Sequence, residues 1–344
     1  MAGKGGTGTY RAWLYSSASG GLEHAIKLSD APLKPAGKDQ ILVKVYSVCL
    51  NPVDHKLPEL GLLSRTIIPT PAAPCMDFSG TVYFKKCGGA AESADSFIEG
   101  ETVFGRVGPQ QYGPLGEYVL AKPSELTSLP DGVDLDQASC IGTAALTAYQ
   151  SIAPHVKEGD KVLINGGSGG TGTFGIQIAK ILGCHVTTSC SGRNVELCKS
   201  LGADEVIDYT KEDVVKILKS KGTVFKVAVD NVGSSPPNLY SAADHYLLPE
   251  GKFVQVGGGQ SLRGMKSTAF RTVLPSFLGG GKRSWQFMVL TNDQDDRAKI
   301  GEWMKEGKVK AVIDETFNFE QAPKAFEKLK TGRSRGNIVI RVEK

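Results

Sequence analysis

No run in this chain approaches the ~18 consecutive apolar residues that a helix needs to cross a bilayer, so a helical membrane protein is excluded and no membrane partner is expected. The amino end, MAGKGGTGTYRAWLY, has neither an apolar core nor a cleavage pattern and does not read as a secretory signal. Its first eight residues read as a frayed tail. Blocks of Lys or Arg are missing. The 40 basic and 36 acidic side chains leave a net charge of +4 over 344 residues, too mild and too dispersed for nucleic acid to be the main partner. The seven cysteines, Cys49, Cys75, Cys87, Cys140, Cys184, Cys190 and Cys198, never form C-x-x-C, and their odd number argues against a full disulfide framework. Reduced thiols and a cytoplasmic location are the expectation. The five histidines, His24, His55, His155, His185 and His245, stand far apart, so no closely spaced Cys/His set offers itself to a metal.

Glycine, by contrast, is concentrated where it counts. Lys161–Gly183 reads KVLINGGSGGTGTFGIQIAKILG. Val162–Ile164 is a short apolar run of the kind that forms a buried parallel strand. Phe174, Ile176, Ile178, Ala179 and Ile181 then follow the helical period, and Gly183 stands where a helix stops. Between them Gly167, Gly169 and Gly172 fit G-x-G-x-x-G, with the strand before and helix after that the motif requires. Without a Cβ the backbone turns tightly and approaches a pyrophosphate closely. The helix start offers unpaired N–H groups and the positive end of its dipole. Gly167, Ser168, Gly169, Gly170, Thr171 and Gly172 are therefore expected to bind a dinucleotide.

A chain of 344 residues exceeds the ~250–300 at which single cores stop growing, so two domains are expected. From Tyr10 to about Leu126 the texture is short strands and turns: Ile41–Val48 alternates with period two, and Thr81–Phe84, Thr102–Phe104 and Glu117–Leu120 follow among Pro and Gly. Gly88–Gly89 reads as a turn. Asp136–Ile152 reads as one helix leading into the second domain. There strands at Val162–Ile164, His185–Ser189, Glu205–Ile207, Lys226–Val229 and Lys252–Val256 alternate with helices at Phe174–Leu182, Asn194–Leu201, Lys211–Lys219 and near Pro237–His245. Trp285–Leu290 offers a sixth strand, after a flexible connection at Gly279–Gly281. Such alternation implies a parallel sheet with helices on both faces. The tail holds helices at Arg297–Glu306 and Ala322–Lys330, joined by a loop, and a closing strand at Asn337–Val342.

An acid about 20 residues past the glycines normally binds the adenosine ribose hydroxyls. Here the second strand runs into Cys190-Ser191-Gly192-Arg193-Asn194, with no acid. The missing carboxylate removes repulsion toward a 2′-phosphate. Arg193 can pair with that group and Ser191 can donate to it, so NADPH is preferred over NADH.

Several further stretches point one way: Asn51-Pro52-Val53-Asp54, Pro74-Cys75-Met76-Asp77-Phe78-Ser79-Gly80, Gly116-Glu117-Tyr118-Val119, Leu146-Thr147-Ala148-Tyr149, Leu201-Gly202-Ala203-Asp204 with Asp208-Tyr209, and Arg335-Gly336-Asn337-Ile338-Val339. With the glycine turn, in this order and spacing, they make the chain from about Arg11 to Val342 resemble the medium-chain dehydrogenase/reductase superfamily, in particular its zinc-free quinone oxidoreductase branch. The resemblance implies a Rossmann-type doubly wound parallel sheet, residues 142–291, inserted in a mainly β, GroES-like catalytic domain built from residues 1–141 and 292–344. It implies an active site in the cleft. It also implies that Tyr209 lines the 2′-phosphate pocket, that a late base near Arg333 closes it, and that Thr147 matches a threonine touching the nicotinamide. Helix packing is an alternative role for Thr147. Zinc relatives carry a catalytic Cys, His and Glu. Asn51 stands at the first position and Met76-Asp77 replaces the His-Glu pair, while the stretch of the structural zinc lobe holds only Cys87. No metal is expected.

Without a metal to polarise a simple ketone, the expected acceptor is conjugated, a quinone or an α,β-unsaturated carbonyl, whose charge hydrogen bonds can stabilise. Asn51 is the first candidate for the cleft, either donating to a developing enolate or fixing a loop. Lys56 is a candidate donor or electrostatic stabiliser, or a plain surface lysine. Asp54 and Asp77 are read as holding neighbouring backbone and charges. Asp230-Asn231-Val232 and Gly257-Gly258-Gly259 follow the fourth and fifth strands, where the cofactor should pass. Tyr46, Phe78, Tyr112, Trp285 and Phe287 are candidates for a substrate wall or for core; Phe78 reads as core and Phe287 is assigned to the cofactor. The apolar strand Trp285–Leu290 suggests pairing in a homodimer. Two other readings stay open: an enoyl reductase working with a biosynthetic assembly line, and a non-catalytic NADPH-binding regulatory protein.

Overall fold

Residues 8–37, 39–85, 97–111, 113–233, 235–258 and 282–343 are described by the computed structural model. Two units emerge, Met1–Leu146 with Thr291–Lys344, and Thr147–Leu290. The sequence features at Tyr112, Cys87, Gly88–Gly89, Gly259 and Gly279–Gly281, and all but the last of the eight amino-terminal residues, lie outside the described residues.

The first unit begins with β1 (Thr9–Leu14), paired antiparallel with β2 (Lys27–Pro32), and the one-turn α1 (Leu22–Ala25) between them. Next come β3 (Ile41–Leu50), α2 (Pro52–Lys56), α3 (Ser64–Ile67), β4 (Asp77–Lys85), β5 (Thr102–Arg106), β6 (Tyr118–Ala121) and β7 (Leu126–Ser128). β3 buries Ile41, Val43 and Val45 at period two and, past a register shift between Val45 and Ser47, Val48 and Leu50, in one core with Phe78, Ile338 and Ile340. Phe78 is fully buried, as core. Pro52 suits the first position of α2, where no amide hydrogen is needed.

The expected single helix over Asp136–Ile152 is broken. Asp134 caps α4 (Leu135–Ser139) by accepting the Gln137 N–H at 3.0 Å, and the helix stops at Cys140. A π turn covers Ile141–Ala145 before α5 (Leu146–Ile152). The cause is Asp77, whose carboxylate accepts the Thr143 backbone N–H at 2.7 Å and the Thr143 hydroxyl at 2.7 Å. An inserted side chain is a standard reason for a helix ladder to open.

The second unit contains β8 (Lys161–Asn165), α6 (Gly170–Ile181), β9 (His185–Cys190), α7 (Val195–Ser200), β10 (Glu205–Asp208), α8 (Val214–Ser220), β11 (Phe225–Asp230), β12 (Leu247–Gln255) and β13 (Ser284–Phe287). All six strands are parallel, in the order β10-β9-β8-β11-β12-β13. That is the Rossmann order, reversing between β8 and β11, where such sheets bind ligands at the carboxyl ends of their strands. The α8 start lies later than expected because Asp213 caps it, accepting the Lys216 N–H at 3.0 Å. The helix expected near Pro237–His245 is absent. Turns occupy the stretch, with one 3₁₀ turn at Ala243–His245, since Pro236 and Pro237 remove two amide donors; Leu239, Ala242, Ala243 and Tyr246 keep the spacing of a helix face but reach the core from these turns.

The return segment carries α9 (Gln294–Lys305), β14 (Ile313–Asn318), α10 (Ala322–Lys330) and β15 (Asn337–Arg341). β15 lies antiparallel to β3 in the sheet β14-β15-β3-β4-β5-β7, with β6 beside β3. The segment read as a loop is the edge strand β14. Its side chains are mostly open to solvent, so no apolar alternation marks it.

Candidate functional site

In the second unit the glycine turn follows β8 directly, and its glycines differ in what surrounds them. A Cβ on Gly167 would lie 2.0 Å from Thr188 Oγ1, and one on Gly172 would lie 2.2 Å from the Gly166 carbonyl. At Gly169 the nearest atom would be 3.7 Å away. Gly167 and Gly172 are thus required by the protein's own packing, while Gly169 borders open space at the start of the twelve-residue α6. The first N–H groups of a helix have no acceptor within it, so Gly170, Thr171 and Gly172 point donors at that space.

Neighbouring strand ends are tied to the turn. Asn165 Nδ2 donates to Asp230 Oδ1 at 2.8 Å, and the same oxygen accepts the N–H groups of Val232 and Gly233 at 3.1 and 2.9 Å. Val232 packs over Gly166, and Asn231 packs against Gly257, where a Cβ would lie 2.4 Å from the Asn231 carbonyl. Both polar atoms of the Asn231 side-chain amide are buried with no hydrogen-bond partner. Gly258 has nothing within 4 Å of a built Cβ. Phe287, opposite Gln255 at the carboxyl end of β13, is 40% exposed.

At the end of β9 the segment that carries Ser191 and Arg193 meets the one that carries Tyr209, and a Cβ on Gly192 would lie 2.5 Å from Asp208 Oδ2. Tyr209 N–H donates to the Cys190 carbonyl at 3.1 Å, and Arg193 and Tyr209 are both exposed. Sequence reasoning missed Asn194, whose Nδ2 donates to Ser168 Oγ at 2.9 Å and to Ser191 Oγ at 3.2 Å, linking the glycine turn to the second strand. Its position at a short helical turn is the only hint in the sequence. An acid does stand nearby, Asp208, but its Oδ1 accepts the Thr210 N–H at 3.0 Å and hydroxyl at 2.6 Å.

In the first unit a buried polar cluster surrounds Asp77. Asn51, ahead of α2, donates from Nδ2 to Asp77 Oδ2 at 2.8 Å and to the Cys49 carbonyl at 3.4 Å, so both amide hydrogens serve the fold. This is the loop-fixing arrangement. Arg106 Nε lies 3.8 Å from Asp77 Oδ1 and donates to Thr143 Oγ1 at 3.0 Å. Burial raises the Asp77 carboxyl to about 6, with Arg106, Thr143 and Asn51 opposing. Asp54 accepts the Asn51 N–H on Oδ2 at 2.6 Å. Burial, reinforced by the Asp77 charge, pushes the Asp54 carboxyl well above the usual carboxylate range. Lys56 is half-buried rather than on the open surface, and desolvation lowers its ammonium pKa. Thr147, in the second unit, is buried on α5. Arg333, in the first, is exposed in the turn between α10 and β15. Sequence reasoning did not single out Arg106 or Thr143.

The donor set around Asp77 does not fit zinc. The amide of Asn51 is spent on Asp77 and Cys49, the Met76 thioether accepts Arg106 Nη2 at 3.4 Å, and Asp77 is occupied by Thr143 and Asn51. Zinc needs thiolate, imidazole or free carboxylate. Among the described residues no group of three or more His, Cys, Asp or Glu side chains gathers elsewhere. Six cysteines, Cys49, Cys75, Cys140, Cys184, Cys190 and Cys198, are free thiols. Among the described residues no helix is long and apolar enough to cross a membrane.

A family model described as zinc-binding dehydrogenase matches residues 201–340. The chain is similar to a trans-enoyl reductase of Aspergillus terreus, 44% identical over 97% of this chain and 97% of the relative. It is 31% identical to a chloroplastic NADPH-dependent alkenal/one oxidoreductase of Arabidopsis thaliana, over 96% of this chain and 79% of that one. Among solved structures, a quinone oxidoreductase from Coxiella burnetii superposes with a TM-score of 0.81 at 28% identity, covering 98% of this chain and all of that one.

Proposed function

Because this chain belongs to the medium-chain dehydrogenase/reductase superfamily and is an oxidoreductase that takes a nicotinamide cofactor and a small-molecule substrate, we propose that it is an NADPH-dependent, zinc-independent reductase of quinones or α,β-unsaturated carbonyls. The observation that carries the reading is the contrast within one turn: Gly167 and Gly172 are closed by the protein itself, while Gly169 faces open space beside a helix start. A bound NADPH supplies hydride. The N–H groups of Gly170, Thr171 and Gly172 receive its pyrophosphate, with Ser168 and Gly169 alongside. The unpartnered amide of Asn231 supplies a donor and an acceptor to the cofactor, flanked by Val232, Gly257, Gly258 and Phe287. Arg193, with Ser191 and Tyr209, binds the 2′-phosphate, a role that the absence of an acid after β9 supports. Two relatives named for quinone and alkenal/one reduction support the acceptor class.

On the substrate side, Lys56 provides the positive charge for the oxygen that gains negative charge and Asn51 positions Asp77, while in the second unit Thr147 borders the nicotinamide. A nearly full-length trans-enoyl reductase relative favours a second reading, reduction of an enoyl thioester carried by an assembly line. The edge strand β13 supports a homodimer, to be checked by sizing. A cytoplasmic location is checked by imaging tagged protein.

The deciding experiment follows NADPH absorbance with a panel of quinones, enals, enones and a pantetheine-bound enoyl thioester. Oxidation with the first three and none with the thioester supports a free-standing reductase, and thioester preference supports the second reading. NADPH binding without oxidation by any acceptor overturns both in favour of a regulatory protein.

A further inference from the structure

One pocket in the first unit, a cavity of about 20 Å³ beneath an open mouth, is lined by Tyr15, Asp54 and apolar side chains including Val53, Leu57 and Ile68. Mostly apolar walls with a few polar groups are the usual make-up of a small-molecule site. Asp54 Oδ2 is held by the Asn51 N–H at 2.6 Å, but Oδ1 is buried and has no hydrogen-bond partner. A buried polar atom left unpaired costs stability unless a ligand or a proton satisfies it. The wall is also strained. Cys75 lines it with φ +73°, the one non-glycine residue in the left-handed region among the described residues. Neighbouring backbone is clamped by Gly113 N–H to the Ala73 carbonyl at 3.0 Å and Tyr15 N–H to the Ala72 carbonyl at 3.0 Å. Strain of this kind persists where the surroundings over-determine a site.

Resting on the reductase reading above, the geometry points to this pocket as the subsite for the carbonyl end of a neutral substrate, with the acid form of Asp54 donating a hydrogen bond from Oδ1 to the carbonyl oxygen. Two carboxyls share this corner, and their surroundings separate them. Asp77 accepts from Thr143 and Asn51 and stands 3.8 Å from Arg106, whereas for Asp54 burial and the Asp77 charge outweigh the Asn51 N–H, Arg106 and the Asn51 side chain. The proton therefore resides on Asp54. Tyr15, held neutral because burial raises its phenol to about 12, is a second uncharged wall group. An anionic ligand is disfavoured here by the Asp77 carboxylate. The specificity expected is for uncharged carbonyl compounds.

The test uses cyclohexanone, which has no conjugated bond to reduce, and cyclohexanecarboxylate as its charged counterpart, on the full chain at neutral pH without NADPH. Calorimetry is expected to give cyclohexanone binding at least ~10-fold tighter than the carboxylate, and at least ~10-fold weaker binding to Asp54→Ala, which has no donor. An infrared difference spectrum of the wild type is expected to show a carboxylic-acid C=O band shifting to lower frequency when cyclohexanone is added. The spectrum needs no variant, so it decides even if Asp54→Ala does not fold. No cyclohexanone binding, equal binding of the two probes, unchanged binding to a folded Asp54→Ala, or no shift of an acid band each overturns the proposal. None of these readouts depends on NADPH oxidation, so failure of the reductase reading registers separately.

Discussion

The Asp77 carboxylate, at the start of β4, accepts the backbone N–H of Thr143 at 2.7 Å, sixty-six positions further along the chain. That bond takes an amide out of the helical ladder and gives the π turn at Ile141–Ala145. Gly142 makes room for it, since a Cβ there would lie 2.6 Å from Asp77 Oδ1. The same carboxylate receives Asn51 and stands near Arg106, so one buried charge joins β3, β4, β5 and the helix entry.

Burial raises Asp77 from its ordinary 3.8 to about 6, and the sign of its effect on stability follows. Because the folded state holds this proton more tightly than the unfolded chain, the Asp77 contribution is greatest at low pH and declines as pH rises from about 4 to 6. Denaturant titrations of wild type and Asp77→Asn across that window should differ in slope, by roughly 2–3 kcal/mol in total. Parallel curves would remove Asp77 as the titrating group.

Gly169 and Gly172 should respond differently to one added methyl. Gly169→Ala meets nothing closer than 3.7 Å, so thermal stability should change by less than ~0.5 kcal/mol while NADPH affinity falls at least ~10-fold. Gly172→Ala places a Cβ 2.2 Å from a backbone carbonyl and should cost stability outright, about 1–3 kcal/mol. Calorimetric binding and melting curves measured together separate the two cases. Unaltered NADPH binding by Gly169→Ala would contradict a phosphate at that face.

Arg193→Ala removes the exposed cation beyond β9. With a charge-assisted bond worth ~1.5–3 kcal/mol, KM for NADPH should rise roughly 10- to 100-fold while KM for NADH stays unchanged. Equal effects on both cofactors would place Arg193 outside the 2′-phosphate site.

Lys56 makes a pH prediction. In the proposed role its protonated form is the active one, and burial lowers its pKa below the ordinary 10.5. Turnover should therefore fall on the alkaline side before an exposed lysine would titrate. Lys56→Met should lower kcat by ~10²-fold or more and abolish that limb, with NADPH binding and melting temperature intact. A variant with wild-type kcat would return Lys56 to the surface-lysine role.

The elements most legible in the sequence were those with local causes. Val162–Ile164 and the run from Phe174 to Ile181 carry their periods within a dozen residues, and the glycines between them report a turn too tight for a Cβ. β14 escaped notice because an exposed edge strand need not alternate, and the stretch around Pro237–His245 misled because its apolar residues serve the core from turns. Asn194 and Arg106 were invisible for another reason. Their partners, Ser168 and Thr143, are distant in sequence, and a polar residue's importance lies in what it faces.

By itself the order of residues determined the parallel sheet, the tight glycine turn and the lack of an acid beyond β9, because chain stiffness, side-chain period and glycine's missing Cβ act over neighbours. Only the tertiary structure decided that two carboxyls, Asp54 and Asp77, are buried in one corner, and that the Asn51 amide donates to Asp77 and the Cys49 carbonyl. Charge state depends on dielectric and on partners brought together from β3, β4, β5 and the helix entry, and those meet only after the chain has folded.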